Sequence, residues 1–225
     1  MINKEFQKRI ISSIILIPIA LFFIFQGSIF FAFFLCFFFV ISSYEWIKMN
    51  KKDSLKILGL FYLLFISYLT FLFRENFFFQ LILVIVICIF TDIGGYIFGK
   101  ILKGPKLTRI SPKKTYAGLI GSFILSVLGS LVYIKYINLG GTTYLEIQYL
   151  LSTKGVENFK LYFLIIILFI SLISQIGDLI ISYFKRLAKV KDTGNLLPGH
   201  GGLLDRVDGI IFAIPASYLL FNYLS

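Results

Sequence analysis

Hydrophobic positions along the chain gather into long uninterrupted runs and do not alternate with polar ones. A helix needs roughly 20 apolar residues to cross a hydrocarbon core about 30 Å thick. Runs of about this length recur from end to end, and we predict a membrane-spanning helix for each. The seven runs cover residues 10–26, 28–44, 55–73, 77–98, 117–138, 161–183 and 208–224. The pattern therefore predicts an all-α, polytopic helical integral membrane protein with about seven transmembrane helices.

The first two runs are separated only by Gly27, which predicts a helical hairpin. The first run has a basic flank, Lys8-Arg9, as a signal peptide has. It lacks a small-x-small cleavage site before Ser28 and continues directly into the second apolar run, so we predict a retained helix.

Composition agrees with the membrane interpretation. Hydrophobic residues make up 58% of the 225 positions and charged residues only 15%, which leaves too little polar surface for a soluble domain. The two cysteines, Cys36 and Cys88, lie inside apolar runs with no histidine or second cysteine nearby. They are predicted to be small buried hydrophobes and not a disulfide or a zinc site.

The net charge of +11 raises the question of nucleic acid, but the positions of the basic residues favour the membrane. With a cytoplasmic N-terminus and alternating crossings, 18 of the 22 Lys and Arg residues fall on the cytoplasmic side. This bias is the positive-inside rule, and we predict no nucleic-acid partner. The segment 139–160 would face outside, with room for a short amphipathic helix.

Two aspartates interrupt apolar runs, each about two turns before the cytoplasmic end of its helix: Asp92 and Asp178. An ionisable group in a membrane segment costs roughly 2.5–3.5 kcal/mol on insertion scales and is a functional hypothesis by default. Each carboxylate is either paired with a basic residue of the adjacent loop or part of a shared metal or phosphate site. The matching depth of the two favours the shared site. Asp178, Ser182 and Lys185 stand at i, i+4 and i+7, which places them on one helix face.

The segment ISPKKTYAG, residues 110–118, precedes a helix predicted to start near Ala117. Hydroxyl groups, backbone N–H groups and two lysines at a helix start favour an anion site, and a positively charged inside flank is the alternative. The residues predicted to bind an anion here are Ser111, Lys113, Lys114 and Thr115. Upstream, Gly94, Gly95 and Gly99 allow close approach either of a ligand or of a neighbouring helix.

The second cytoplasmic loop, from Ser182 to Gly209, concentrates acidic, basic and glycine residues. Its three aspartates offer hard oxygen ligands suited to Mg²⁺, and Gly201-Gly202 allows a sharp turn that exposes backbone N–H groups to phosphate. The lone His200 has no cysteine near it with which to build a zinc site. The aspartates are Asp192, Asp205 and Asp208, and the matching phosphate-binding cations are Lys185, Arg186, Lys191 and Arg206. These residues predict a membrane enzyme that handles a Mg²⁺-nucleotide or a polyphosphate.

The same loop resembles, position by position, the motif of CDP-diacylglycerol synthases, also called phosphatidate cytidylyltransferases. The resemblance covers Ser182-x-x-Lys185-Arg186, Lys191-Asp192, Pro198-Gly199-His200-Gly201-Gly202 and Asp205-Arg206-Val207-Asp208. A second block looks like the other shared region of that family: Thr91-Asp92, Tyr96, Gly99-Lys100 and Ser111-Pro112-Lys113-Lys114-Thr115. Members usually carry an acidic residue where this chain has Ala117, so no role of that carboxylate carries over.

The resemblance implies the reaction of CTP with phosphatidate to give CDP-diacylglycerol and pyrophosphate in phospholipid biosynthesis, with Mg²⁺ as cofactor and K⁺ as a second ion. It implies Asp178 and Asp205 as metal-holding carboxylates, with Asp192 and Asp208 supporting either the same centre or the nucleotide. It further implies that phosphates are neutralised by Lys113, Lys114, Lys185 and Arg206 and positioned by Ser182 and His200. It suggests a homodimer.

Two other functions stay open. A CTP-dependent polyprenol or phytol kinase also joins CTP to a lipid, but it transfers the γ-phosphate. A phosphate or nucleotide transporter is less favoured, because its polar residues would lie at the membrane midplane. We predict an N-terminal transmembrane region at 1–99 and a catalytic transmembrane region at 100–225. We place the protein in the cell (inner) membrane with its active site at the cytoplasmic face.

Overall fold

Helices make up nearly all of the structure. The computed structural model describes residues 18–108, 110–137, 158–194, 196 and 201–224. No strand occurs within these ranges, and an isolated antiparallel bridge joins Lys106 and Thr115. The helices are α1 (described over 18–26), α2 (Ser28–Met49), α3 (Asp53–Asn76), α4 (Phe78–Ile101), α5 (Tyr116–Val132, continued by a π-helical turn Tyr133–Ile137), α6 (Phe159–Leu187), α7 (Leu204–Val207) and α8 (Ile210–Leu224).

Five of the described helices, α2 to α6, are long and apolar enough to cross a membrane. Helix α8 is apolar but has only 15 residues. Large hydrophobic side chains such as Phe33, Phe37 and Phe61 are exposed along these helices, as expected where lipid and not water is the solvent. The prediction of a polytopic helical membrane protein is confirmed. The count of seven crossings and the cytoplasmic N-terminus stay predictions, and most of the segment 139–160 lies outside the described residues.

The chain divides into two compact units. The first unit comprises Met1–Asn76 and Ile181–Asp208, and the second comprises Phe77–Ile180 and Gly209–Ser225. Helix α6 therefore gives its last residues to the first unit and the rest to the second. The predicted division separates an N-terminal transmembrane region, 1–99, from a catalytic region, 100–225. It is based on expected role and not on contacts, and it stays a prediction.

In the first unit, α1 and α2 meet at a glycine turn that is held by an arginine. Gly27 has φ 65°, in the left-handed region that glycine tolerates, and a Cβ there would overlap the Arg74 guanidinium. Arg74 donates from Nε to the carbonyl of Ile24 (3.2 Å) and from a terminal nitrogen to that of Phe25 (3.4 Å). A cation at the last carbonyls of a helix satisfies acceptors that have no partner within that helix.

The C-terminal end of α2 is fixed by Trp46. Its indole Nε1 donates to the Leu55 carbonyl of α3 at 2.8 Å. The ring lies against Gly59, where any Cβ would overlap it, and packs edge-on against Phe184 with centroids 5.1 Å apart. The last turn of α2 is thus packed against both α3 and the end of α6.

In the second unit, α4 and α5 approach each other through glycines. A Cβ at Gly94 would overlap the Gly121 backbone, and one at Gly118 would lie 2.8 Å from the Gly95 carbonyl oxygen. Such close approach is typical of small residues between membrane helices. Of the two roles left open for the glycines after Asp92, helix packing accounts for Gly94 and Gly95.

Hydroxyl groups add polar links inside the second unit. Thr91 Oγ1 donates to Ser171 Oγ (2.8 Å), and Ser122 Oγ donates to the Thr91 carbonyl (2.7 Å). These bonds join α4 to α6 and α5 to α4 at buried positions. Bonds of this kind contribute about 0.6–2 kcal/mol each between membrane helices.

The glycine contact yields a matched pair of substitutions. We expect Gly94→Ala to lower the thermal unfolding midpoint of the purified protein in detergent, because its methyl group meets backbone and costs about 1–3 kcal/mol. At Gly95 a Cβ would lie 3.0 Å from the Ser122 hydroxyl and no closer than 4.0 Å to backbone, and alanine gains helix propensity, so we expect Gly95→Ala to lower the midpoint less than Gly94→Ala. Equal midpoints for the two variants would contradict the packing described here.

Candidate functional site

The first group of predicted site residues lies in the second unit, where the loop after α4 leads into α5. Leu107 N–H donates to the Lys114 carbonyl at 2.8 Å, which closes the loop on itself. Thr115 is the N-cap of α5, and its hydroxyl oxygen accepts from Gly118 N–H at 3.1 Å. The helix begins at Tyr116, one residue before the predicted start near Ala117.

Lys114 pairs with Asp178 in this unit. Its Nζ lies 2.6 Å from Asp178 Oδ2 and also donates to the Gln175 carbonyl at 3.3 Å. Both charged side chains are mostly buried, with 24% and 27% exposed. Neighbouring Lys113 is exposed. The pairing of Asp178 with a lysine of the loop, one of the two open interpretations, is therefore present, and its role towards a metal stays a prediction.

Asp92 and Asp178 occupy equivalent places along their helices, as predicted. Each lies nine residues before the last residue of its helix, Ile101 in α4 and Leu187 in α6. Asp92 is exposed on α4. An exposed carboxylate on a helix that crosses a membrane faces either lipid or a polar partner, and lipid is the unfavourable choice.

The second group lies in the first unit and begins where α6 ends. Val190 N–H donates to the Lys185 carbonyl (2.9 Å) and Lys189 N–H to the Arg186 carbonyl (3.0 Å). With Lys189 at φ 61°, these bonds form a Schellman motif. A non-glycine residue in this conformation is uncommon, and here it turns the chain sharply into the segment 191–194.

Asp205 is the centre of this second group. Its Oδ1 accepts from Lys185 Nζ at 2.8 Å. Its Oδ2 accepts from the backbone N–H groups of Thr193 (2.8 Å) and Gly202 (3.0 Å) and lies 3.1 Å from the Thr193 hydroxyl. Only 8% of the Asp205 side chain is exposed, so these donors replace water around the charge.

The glycine turn before α7 fits around the same carboxylate. Gly201 has φ 84°, and a Cβ there would lie 2.9 Å from Asp205 Oδ2 and 3.2 Å from the Asp192 Cβ. A side chain at this position is disfavoured both by the backbone conformation and by the carboxylate. The sharp turn predicted at Gly201-Gly202 is present, but Gly202 is buried and its N–H donates to Asp205, so it is not one of the exposed N–H groups that were predicted.

Glu45 of α2 belongs to this group, although sequence reasoning missed it. Only 2% of the residue is exposed, and its carboxylate accepts from the backbone N–H groups of Leu203 (2.8 Å) and Leu204 (3.0 Å). Glu45 lies just beyond the apolar run 28–44, where charged residues are common at the end of a membrane helix. The signal that could have found it is its place in ISSYEWIKM, a lone acid before the basic flank.

The remaining predicted residues divide by exposure. Ser182 is buried on α6, and Asp208 lies in the turn that follows α7. Of the four cations of this loop predicted to bind phosphate, Lys185 is buried and paired with Asp205, and the other three are exposed: Arg186, Lys191 and Arg206. Ser111 lies in the loop before α5, where its N–H donates to Thr108 Oγ1 at 3.2 Å. His200 lies outside the described residues.

Each of the two carboxylates predicted to hold a metal has donor chemistry that suits a magnesium ion. Asp178 and Asp205 offer hard carboxylate oxygens, and Mg²⁺ is usually held by one or two carboxylates together with substrate phosphates and water. Among the described residues, no three His, Cys, Asp or Glu side chains form a cluster that could cage a metal. A preformed all-protein site is therefore not what the described residues provide.

Comparison with known proteins identifies the family. A family model described as "Cytidylyltransferase family" matches residues 54–224, which is most of the chain. The chain belongs to the cytidylyltransferase family. The matched range includes Lys114, Asp178, Lys185 and Asp205, and it excludes Glu45.

Individual relatives agree with this membership. A protein of Rickettsia prowazekii (strain Madrid E) named phosphatidate cytidylyltransferase is 39% identical over 152 residues, 64% of this chain and 60% of that protein. One of the same name from Brucella suis biovar 1 (strain 1330) is 42% identical over 130 residues, 57% of this chain and 42% of that protein. The chain thus matches about half the length of these curated relatives.

The lysines of the loop before α5 offer a second matched pair. We expect Lys114→Ala to lower the stability of the protein in detergent by about 1–3 kcal/mol, because Asp178 loses a partner in a mostly buried place. We expect Lys113→Ala, at an exposed position, to stay within about 0.5 kcal/mol of the parent protein. Thermal unfolding of both variants measures this, and a Lys113→Ala variant that is the less stable of the two would contradict the assignment.

Proposed function

We propose that this protein is a phosphatidate cytidylyltransferase that converts CTP and phosphatidate into CDP-diacylglycerol and pyrophosphate. The observation that carries the proposal is membership of the cytidylyltransferase family together with curated relatives of that name at about 40% identity. The apolar helices support it, because phosphatidate is a membrane lipid and an enzyme that uses it needs access to the bilayer.

The reaction forms one bond and breaks one bond. An oxygen of the phosphatidate phosphate attacks the α-phosphorus of CTP in line, and the bond from that phosphorus to the oxygen bridging to the β-phosphate breaks. Pyrophosphate leaves with the bonding electrons, and the lipid keeps the CMP moiety. Catalysis of such a transfer is mainly positioning and charge stabilisation, since the protein supplies no covalent intermediate.

In the first unit, we propose that the Asp205 group and the surrounding cations serve the nucleotide. The exposed side chains of Arg186, Lys191 and Arg206 are suited to the CTP phosphates, because guanidinium groups bind phosphate in a bidentate manner and ammonium groups act as point charges. Lys185 is already paired with Asp205 at 2.8 Å, so it fixes this carboxylate before substrate arrives.

In the second unit, we propose that Lys114 and its pair with Asp178 serve a phosphate group at the edge of the membrane. Asp178 lies well inside an apolar helix, and Lys114 reaches it from the loop before α5. The ammonium group of Lys114 is held in place by its pair with Asp178, whereas the exposed side chain of Lys113 has room to move towards a phosphate. Ser111 and Thr115 place hydroxyl groups in the same loop.

We propose Mg²⁺ as the cofactor, and the Asp205 carboxylate of the first unit and the Asp178 carboxylate of the second are each a candidate ligand. When bound, the ion would neutralise phosphate charge and polarise the α-phosphate. Each carboxylate has hard oxygen donors of the type that Mg²⁺ prefers.

We further propose that the protein resides in the cell's inner membrane with these residues at the cytoplasmic face, where CTP is available. The predicted bias of basic residues supports this side.

The position of the label in CTP tests the reaction. We expect purified protein with Mg²⁺ and phosphatidate to transfer the α-³²P of CTP into a chloroform-soluble lipid and to release pyrophosphate, because the CMP moiety moves. We expect removal of divalent ions with EDTA to stop the transfer and added Mg²⁺ to restore it. Transfer of the γ-label alone would instead identify a lipid kinase and overturn the proposal.

Substitution of the central carboxylate tests the site. We expect Asp205→Asn to lower kcat for CDP-diacylglycerol formation at least about 100-fold, because an amide loses the charge that Lys185 and three other donors address. Asp53→Asn is the matched control: Asp53 is exposed at the start of α3, 84% of its side chain being open to solvent, and its change should leave the rate intact. Full activity of Asp205→Asn would contradict the assignment of Asp205 to the active site.

A further inference from the structure

A buried carboxylate outside the family-matched range is directed at the loop that carries Asp205. Glu45 lies in α2, nine residues before the matched range begins at residue 54, and only 2% of it is exposed. Burial of a carboxylate is costly unless donors replace the lost water. The groups that donate to Glu45 therefore identify the segment of the chain that this carboxylate stabilises.

Among the described residues, the donors to Glu45 come from Thr193 after α6 and from Leu203 and Leu204 at the start of α7, all in the first unit. Oε1 accepts from Leu203 N–H at 2.8 Å, and Oε2 accepts from Leu204 N–H at 3.0 Å. Oε2 also lies 3.1 Å from the Thr193 hydroxyl. Leu203 and Leu204 immediately precede Asp205, so Glu45 fixes the backbone from which the Asp205 side chain extends.

The Thr193 hydroxyl lies between two carboxylates. It is 3.1 Å from Glu45 Oε2 and 3.1 Å from Asp205 Oδ2. A hydroxyl has one proton and donates it to one acceptor at a time. Glu45 and Asp205 therefore share this donor, and the orientation of Asp205 depends on Glu45 through the side chain of Thr193 as well as through the backbone.

Glycines allow the loop to fit this closely around Glu45. A Cβ at Gly202 would overlap the Thr193 hydroxyl and lie 2.6 Å from Glu45 Oε2. A Cβ at Gly194 would lie 2.9 Å from Glu45 Oε1. Side chains at either position would displace the carboxylate from its donors.

The residue next to Glu45 makes its helix a rigid support. Trp46 is bonded to the Leu55 carbonyl, lies on Gly59 and packs against Phe184, as described above. Asn50 Nδ2 donates to the Trp46 carbonyl at 2.9 Å and so closes the end of α2. A supporting residue orients a catalytic group well when its own rotamer and backbone are fixed by packing.

We propose that Glu45 is a positioning residue for the reaction: it holds the Gly202–Leu204 turn and Thr193 so that the Asp205 carboxylate keeps one orientation. This rests on the proposed function for its catalytic consequence, but not for the contact itself. A misplacement of about 1 Å in a reacting group costs on the order of 100-fold in rate. The loss of Glu45 should therefore appear mainly in kcat.

The test uses full-length protein in detergent and two measurements. Glutamine has one accepting oxygen in place of the two carboxylate oxygens of Glu45. We therefore expect Glu45→Gln to speed amide hydrogen exchange in residues 201–208. We expect the same variant to lower kcat about 10- to 100-fold, with KM for CTP within about threefold of the parent protein. Glu75→Gln is the matched control, because Glu75 lies at the exposed end of α3 and contacts Arg74, and both measurements should match the parent protein.

A second substitution keeps the test valid if Glu45→Gln fails to fold. Thr193→Val removes the shared hydroxyl at nearly constant volume and should lower kcat by a smaller factor, and Thr193→Ser should recover most of that loss. In the double variant of Glu45→Gln with Thr193→Val, the loss in kcat should be less than the product of the single losses, because both act on Asp205.

The outcomes separate the two claims. Unchanged hydrogen exchange in Glu45→Gln would overturn the positioning contact. Faster exchange with unchanged kcat would overturn the catalytic role and leave Glu45 purely structural. Faster exchange in Glu45→Gln, with no CDP-diacylglycerol made even by the parent protein, would refute the proposed function while the contact stands.

Discussion

A carboxylate in an apolar, membrane-spanning chain has to be met by donors, and this requirement organises the polar part of the structure. Asp178 is met by the Lys114 ammonium, and Asp205 by Lys185, two backbone N–H groups and a hydroxyl. Glu45 is met by backbone N–H groups and a hydroxyl alone. Each acid thereby fixes a segment that is otherwise a loop, because the cost of a lost donor is about 1–3 kcal/mol or more.

Apolar packing also fixes the positions of the helices that carry these carboxylates. Trp46 holds the last turn of α2 against α3, and glycines let α4 and α5 approach closely in the second unit. Helices in lipid gain little from the hydrophobic effect between them, so close packing and a few hydrogen bonds have to fix their positions. Close packing of such helices constrains the backbone that carries the polar side chains, which suits the proposed transfer, since its catalysis is mostly alignment.

Most of the fold and part of the site could be predicted from the sequence. Apolar runs gave the helices within a few residues, and the N-cap at Thr115 was visible as a hydroxyl before a helical pattern. The pairing of Lys185 with Asp205, and of Lys114 with Asp178, needed three dimensions, since the partners are 20 and 64 positions apart. Glu45 left only one weak signal, its place as a lone acid before the basic flank, because a carboxylate that binds backbone N–H groups requires no particular residue type in its partner.

Charge balance in the first unit gives an independent reason to expect a cation at Asp205. Two buried carboxylates, Glu45 and Asp205, stand beside one buried ammonium group, that of Lys185. With all three side chains charged, this group carries a net negative charge, and like charges at close range would disfavour the approach of the proposed nucleoside triphosphate. The exposed cations Arg186, Lys191 and Arg206 act through solvent and are screened by salt over about 8–10 Å. The proposed Mg²⁺ would offset this negative charge directly at the carboxylate that binds it.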